Sequence, residues 1–462
     1  MVRLALFAAL SALATAKVSF QVLRELETAD ATTVRVTFKS TSRLAQANFE
    51  TLAKAERAQS VFDLLTAEAA VVTADAVKLA QAAGAKTTTY WIDSSVAIVG
   101  ANKALIDSIA ALPNVAAVNP IGVYTLPVLP DVTPAGNGTA AVEWGVDIIG
   151  APAAWARGNK GKGVIVANID TGVRGTHEAL KTNWRATNGW YEPATSSKLP
   201  NDRHGHGSHT MGTIAGGLGI GVAPEATWIA CVGCPAGSCP DTDLLACAQW
   251  TICPTDTDGK NPDCKLGAHV VSNSWGSTTN GDTWYEASIL AWRKAGIIPV
   301  FSNGNSGPKC GTVGSPGDSA NVIAVGATTS TDGLASFSSK GPSPDNRLKP
   351  DVSAPGSQIR SASNAADDKY QLMSGTSMAA PHVAGSVALI LAANPGASYD
   401  AVYKLISGTV DTAKLTPSKA NCGGLDDSKF PNNDYGYGRI NVNKASAPSG
   451  PTPAPTPTKP AC

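Results

Sequence analysis

Five short apolar runs constrain the fold of this chain more than any other feature. They lie at 163–169, 226–232, 268–273, 296–302 and 321–327. Each has the length of a strand and is apolar nearly throughout, and helix-like segments such as 242–252 and 284–295 lie between several of them. A strand without polar alternation cannot offer either face to water. The runs therefore predict an α/β domain over 141–446: a doubly wound parallel sheet covered by helices on both faces, in three layers α/β/α. In such a sheet the site lies outside the carboxyl ends of the strands.

The rest of the 462 residues divides by composition. Residues 1–16 carry Arg3, an apolar core over 4–13 and a small-residue step at Ala14-Thr15-Ala16, which predicts a secretory signal cut after Ala16. Residues 17–124 are Ala-rich. Helix is expected over 44–83, strand over 87–100, helix over 101–113, then strand running into a loop, which together make a small α+β domain in front of the sheet. Residues 125–140 form a linker rich in Pro, Gly and Thr, with a glycosylation sequon at Asn137-Gly138-Thr139. Residues 447–462 alternate Pro and Thr and read as an extended tail. No apolar run after the signal reaches the roughly 18 residues that span a bilayer. Net charge is zero, charged residues are 16%, and no basic block stands out, which argues against nucleic acid and acidic membranes as main partners. The expectation is a secreted, soluble protein.

Nine cysteines fit that oxidising destination. Six lie between Cys231 and Cys264, and six allow 15 pairings, so the partners stay open. The odd total leaves at least one thiol free or paired to another chain, and the final residue, Cys462, is the natural orphan.

Three segments supply the parts of a nucleophilic triad. Ser377 follows Gly375-Thr376 and opens an apolar, helix-length segment, so its hydroxyl sits among free N–H groups at the positive end of a helix. That suits a reaction that builds negative charge on a nearby oxygen. His206, in a glycine-rich stretch, is the candidate base, because an imidazole can take the serine proton and return it to a leaving group. Asp170 ends the first apolar run and is the candidate carboxylate that orients the imidazole. Asn305, after the run at 296–302, is a candidate amide donor to the oxyanion. Asp170, Ser274 and Asn305 all follow strand ends, so sheet geometry and chemistry point to one edge. Asp202 competes with Asp170 for the acid role but reads better as a hydrogen-bonding residue of the rim. His209 and His382 read as packed core histidines, and the set His204, His206 and His209 lacks the surroundings of a zinc site.

These residues carry a resemblance. The stretches 168–173, 206–216, 272–276, 304–307 and 375–385 resemble the subtilisin-like serine peptidases, in the order Asp, His, Ser. Residues 142–155, 337–344 and 349–356 are most similar to the bacillopeptidase F-like branch. The resemblance implies a serine endopeptidase acting on polypeptides, with Asp170, His206, Ser377 and Asn305 in the roles above. It implies that Ser274, Trp275 and Gly276 form one wall of the substrate cleft and Gly237 and Ser238 the other. Gly314 would lie at the floor of the pocket for the residue before the cut, leaving space for a large apolar side chain. Residues 17–124 would be a propeptide that inhibits its own enzyme and is then removed by it, with the cut somewhere in 120–140 and Tyr124 a fitting residue before it. The stretch between His209 and Pro224 is shorter than in relatives that hold calcium there. No cofactor is therefore expected, structural calcium is unsupported, and the enzyme is expected to be a monomer. Two other readings stand beside it: an acyl transferase or peptide ligase on the same fold, and a non-catalytic binding protein.

Overall fold

The computed structural model describes residues 16–40, 42–126, 129, 132–137 and 141–447. The expected signal, the Pro/Thr tail with Cys462, and the last two sequon positions fall outside them, apart from Ala16 and Ala447.

The front unit is a four-stranded antiparallel sheet, β1 (Ala31–Phe38), β2 (Lys86–Tyr90), β3 (Ser95–Asn102) and β4 (Val115–Pro120), in the order β2-β3-β1-β4. The run at 87–100, expected as one strand, is a hairpin. Asp93 accepts a hydrogen bond from the Ser95 amide at 3.0 Å, and Ser94 adopts a left-handed φ of 55°, which turns the chain between β2 and β3. The helical region expected over 44–83 begins later, as α1 (Lys54–Val72), and breaks at Thr73 before a shorter helix, Ala74–Ala82. Val34, Val36, Val96, Ile98, Ile106 and Val118 form a core of this unit.

The sheet predicted from the apolar runs is present. Short strands β5 (Val123–Thr125) and β6 (Val132–Asn137) lead from the front unit into β7 (Ile165–Asp170), β8 (Trp190–Tyr191) and β9 (Thr227–Val232). After the short rim strand β10 (Ser238–Pro240) come β11 (Val270–Asn273), β12 (Ile298–Ser302), β13 (Ile323–Thr328) and β14 (Val352–Pro355). Seven of these form a parallel sheet in the order β14-β13-β12-β11-β7-β9-β8. A hairpin, β15 (Ile359–Ala362) and β16 (Lys369–Met373), takes β6 as its third strand. The helices that matter below are α2 (His206–Ala215), α3 (Asp241–Ile252), α4 (Glu286–Lys294) and α5 (Thr376–Ala393). α5 is long and apolar enough to cross a membrane, contrary to the sequence expectation. It is almost wholly buried among β11, β12, β13, β14 and α2, so its apolarity belongs to the core.

The front unit is seated firmly on the sheet domain. Leu44, Val61, Leu65 and Ile92 share one apolar cluster with Leu245, Trp292 and Phe301. Lys54 donates to the Gly267 carbonyl at 2.9 Å, and Arg57 donates to the carbonyls of Arg293 and Lys294 at 3.0 and 3.2 Å. Those two carbonyls end α4, where helix geometry leaves acceptors unpaired. Arg35 of β1 is buried and pairs with Asp93 and, at 3.2 Å, with Asp241, the first residue of α3.

Candidate active site

Neighbouring strands bring the site together. β7 and β11 are parallel partners with Ile169 beside Asn273, so Asp170 and Ser274 leave the sheet side by side. β12 lies next, with Phe301 beside Asn273, and the chain beyond it turns to Asn305. α2 and α5 begin at this same edge.

His206 opens α2 and is fully buried. Its Nδ1 lies 2.8 Å from Asp170 Oδ1. A carboxylate only accepts, so Nδ1 carries the proton and, in the neutral ring, Nε2 holds the lone pair. Nε2 is buried and has no partner among the described residues. Burial alone would push the His206 pKa down. The Asp170 carboxylate, by charge and hydrogen bond, and Asp202 by charge, raise it above its ordinary value instead. Asp170 is itself held, by the Thr171 amide at 2.7 Å and the Thr210 hydroxyl at 3.1 Å.

Asp202 is engaged by other groups. Its Oδ1 accepts from the amides of His204 and Gly205 and from the Thr171 hydroxyl, and its Oδ2 accepts from the amide and hydroxyl of Ser208. It therefore ties down the entry to α2, which sets the position of His206. His209 donates from Nε2 to the Ile359 carbonyl and His382 from Nδ1 to the Met378 carbonyl, both at 2.8 Å. Burial drives their pKa values down to about 3 and about 4, so both are neutral core groups.

Ser377 lies in the first turn of α5 and donates its hydroxyl to the Ser274 carbonyl at 3.2 Å. The Ser274 hydroxyl donates back to the Ser377 carbonyl at 3.0 Å. Asn305 accepts at Oδ1 from the Thr376 amide at 2.9 Å and the Thr376 hydroxyl at 2.8 Å. An amide N–H can only donate, so this fixes the Asn305 side chain with its oxygen toward Thr376. Its Nδ2 is left buried and unpartnered among the described residues. Gly375 keeps the adjacent space open. A methyl group there would stand 3.3 Å from Asn305 Nδ2, 3.6 Å from the Ser377 nitrogen and 2.9 Å from Leu129 Cδ2. Two donors thus converge on one small space, and the Leu129 side chain reaches over it.

The walls of the cleft are occupied. β5 pairs antiparallel with β10, Thr125 beside Ser238 and Tyr124 beside Cys239. On its other edge Thr125 bridges to Gly276. The Leu126 amide donates to the Gly237 carbonyl at 3.2 Å. Residues 123–126 therefore lie as an added strand between the two predicted walls. Gly314 lines a pocket beyond them, with Leu126, Trp275, Ser302, Asn305 and Thr312. Among the described residues no acidic side chain lines it. A Cβ on Gly314 would meet the Ser277 carbonyl at 2.0 Å, which is why glycine stands there. Tyr124 is outside this pocket, because its pairing with Cys239 fixes the strand register two residues further along. Its ring stacks on Trp284 instead, with centroids 4.8 Å apart, and its hydroxyl donates to Asp282 at 3.1 Å.

Six cysteines of the central cluster and two beyond it are joined as Cys231–Cys247, Cys234–Cys239, Cys253–Cys264 and Cys310–Cys422. The Cys231-x-x-Cys234 spacing is thus no metal motif, since its two members go to different partners. Cys234–Cys239 closes the turn that carries Gly237 and Ser238.

Sequence reasoning did not single out Thr376, Gly375, Asp282 or Trp284. The first two lie within the Ser377 motif, and their side-chain roles need the neighbouring loop to be seen. Asp282 precedes a predicted helix by a few residues, which is a capping signal rather than a binding signal.

A family model described as the subtilase family matches residues 161–438. Bacillopeptidase F of Bacillus subtilis (strain 168) is 38% identical over 331 residues, covering 66% of this chain and 22% of that protein. Subtilisin Savinase of Lederbergia lenta is 33% identical over 311 residues, covering 66% of this chain and 99% of that protein. Serine protease AprX of Bacillus subtilis (strain 168) is 35% identical over 286 residues, covering 55% and 62%. The chain therefore spans about a fifth of bacillopeptidase F and nearly the whole of Savinase.

Proposed function

This chain belongs to the subtilase family, and we propose that it is a secreted serine endopeptidase made with its own inhibitor in front. Ser377 is the nucleophile, His206 the base, Asp170 the residue that orients His206, and Asn305 with the Ser377 amide the oxyanion donors. The observation that carries this reading is the His206 Nδ1 contact to Asp170, which leaves the Nε2 lone pair free to act.

That contact supports the following steps. The Ser377 hydroxyl turns from the Ser274 carbonyl to Nε2, and its oxygen attacks the peptide carbonyl as Nε2 takes the proton. The carbonyl oxygen becomes an oxyanion between Asn305 Nδ2 and the Ser377 amide. Collapse breaks the C–N bond, and the imidazolium returns the proton to the leaving amine. Water then attacks the acyl-enzyme by the same route, releasing the acid and restoring Ser377. The route uses only side chains and amides and calls on no metal.

Residues 17–124, with β5 continuing them, act as the inhibitor, and the enzyme works as a monomer on polypeptides. The chain is held as a cleft strand through Leu126, and the Leu129 side chain lies against Gly375. The self-processing cut then falls at one of the three bonds between Leu126 and Leu129.

Intact mass and N-terminal sequencing of secreted wild type and Ser377→Ala test the reading. Wild type is expected to begin at 127, 128 or 129, and the variant to retain its front unit. Both chains remaining full length would overturn it.

A further inference from the structure

Basic side chains gather where the front unit meets the amino-terminal edge of the sheet, around a cavity of about 310 Å³. Lys54 and Arg57 of α1 line it together with Lys162 and His269 of the sheet domain. Apolar Leu52, Val164, Leu391 and Pro395 complete much of the wall. Lys54 gives one proton to the Gly267 carbonyl, and Arg57 gives Nε and Nη2 to the carbonyls that end α4. Each keeps further donors, because an ammonium has three and a guanidinium five. His269 Nδ1 accepts the Ile165 amide at 2.9 Å, so the proton of the neutral ring sits on Nε2. Nε2 has no acceptor among the described residues. Burial first, and Lys54 next, drive the His269 pKa down to about 3, so the ring is a neutral donor. Lys162 is exposed at the rim and makes no ion pair among the described residues. α1 adds to this field. Its N-cap is Ala53, whose side chain offers its first-turn amides no acceptor, and Ala53 also lines the cavity. Glu50 is the one carboxylate of the lining, and it is exposed. Three cations therefore face one solvated carboxylate. Burial, then Arg185 and Arg57, push the Lys54 ammonium down to about 8, as expected of a cation without a counter-charge.

We propose that this junction cavity binds a doubly charged oxyanion of the phosphate or sulfate class, held by Lys54, Arg57, Lys162 and His269 Nε2. Such an anion supplies the missing counter-charge and accepts from several N–H donors at once. The apolar part of the wall keeps the local dielectric low, which strengthens each contact. Chloride carries half the charge and has no spread of acceptor oxygens, so it is a poor substitute. The site is shared, with two of its holding groups on the front unit and two on the sheet domain. It exists only while the two are joined, so its ligand stabilises their union by mass action. The anion is thus a clasp on the front unit. The binding itself stands apart from the endopeptidase reading. Its consequence for maturation, slower loss of the front unit, rests on that reading.

The test uses the full chain as Ser377→Ala, titrated calorimetrically with sodium phosphate and sodium sulfate at an ionic strength held constant with sodium chloride. Saturable binding at one site is expected for both anions, with a matching rise in melting temperature. Lys162 is exposed and makes no contact that folding needs, so its variants report on the ligand. Lys162→Gln should weaken binding by about 3- to 10-fold and Lys162→Glu by more than about tenfold. Lys309→Gln, an exposed change beyond the carboxyl end of β12, should leave it unaltered. In the self-processing wild type, phosphate at about ten times its Kd should slow loss of the front unit by up to about tenfold against chloride of equal ionic strength. Lys162→Glu should abolish that slowing. No saturable binding of either anion, stabilisation that chloride matches, or equal affinity in the parent and its Lys162→Glu form would each overturn the inference. Anion binding in a chain whose wild type never sheds its front unit would uphold the site and overturn the endopeptidase reading.

Discussion

His206 faces Asp170 at 2.8 Å through Nδ1, while its Nε2 is buried without a partner among the described residues. The imidazole is thereby fixed in tautomer and orientation, and its pKa is raised by the carboxylate against the effect of burial. A base must be neutral to accept a proton. Activity should therefore fall as pH drops through a value above the ordinary histidine pKa of about 6.5. Asp170→Asn should lower kcat by on the order of 10⁴ and move that acid limb to lower pH, because the raising charge is gone. Steady-state kinetics from pH 5 to 10 on both enzymes check this. An acid limb that stays in place would mean another group controls it.

Asn305 offers a buried Nδ2 with nothing to bind in the described structure, held there by Thr376 at Oδ1. Asn305→Ala should cost about 10²–10³ in kcat with KM little changed, since the donor serves charge that exists only during reaction. Thr376→Val removes the hydroxyl contact and keeps the backbone one. The amide then keeps its orientation but loses rigidity, and kcat should fall by roughly tenfold or less. A rise in KM in place of a fall in kcat, for either variant, would show that Asn305 binds ground-state substrate.

The sheet was legible because it is buried on both faces. All five apolar runs are strands of it, and no end is displaced by more than two residues. Asp170 and Ser274 could be placed at one edge from this alone, because in a parallel sheet every strand end points the same way. The front unit was less legible. Its strand β1 (Ala31–Phe38) mixes Thr and Arg with Val, and Arg35 is buried only because Asp93 and Asp241 meet it from elsewhere in the chain. The hairpin at Asp93 hid inside an apolar stretch because Trp91 and Ile92 pack inward at the turn. Asp282 and Trp284 were invisible for a different reason. Their meaning depends on Tyr124, which is 160 residues away from Trp284 by number and touches it only through the cleft.

Cys234 and Cys239 close a six-residue turn whose middle holds Ala236 in a left-handed conformation, φ 52°. The turn presents the Gly237 carbonyl and the edge of β10 (Ser238–Pro240) to the substrate strand. The disulfide pre-orders that edge, so substrate pays less to organise it. Cys234→Ser with Cys239→Ser should raise KM by about 3- to 10-fold with kcat within about twofold. The pair Cys310→Ser with Cys422→Ser frees a different loop, which leads to Thr312 and Gly314, so it should lower thermal stability and leave the β10 edge ordered, with a smaller rise in KM than the first pair. Kinetics and melting curves on the two double variants separate the roles, and an unchanged KM in the first would leave the rim turn rigid on its own.

Asp243 stands in the first turn of α3, next to Asp241 and facing Glu192, and its pKa is raised to about 6 by burial first and by those two charges second. Its unfolded value is about 3.9. A folded pKa above the unfolded one means the folded state binds the proton more tightly, so this contribution to stability is full below about pH 4. It is lost as pH rises through about 6. A shift of about two units corresponds to about 3 kcal/mol, which partial exposure reduces to about 1–2 kcal/mol. Asp243→Asn removes the charge that must be buried at high pH. In a Ser377→Ala background, which prevents self-digestion, it should raise stability by about 1–2 kcal/mol at pH 8 and change it little at pH 4. Chemical unfolding at the two pH values checks this. An equal gain at both would mean the substitution acts through helix propensity or packing and that the Asp243 charge carries no strain.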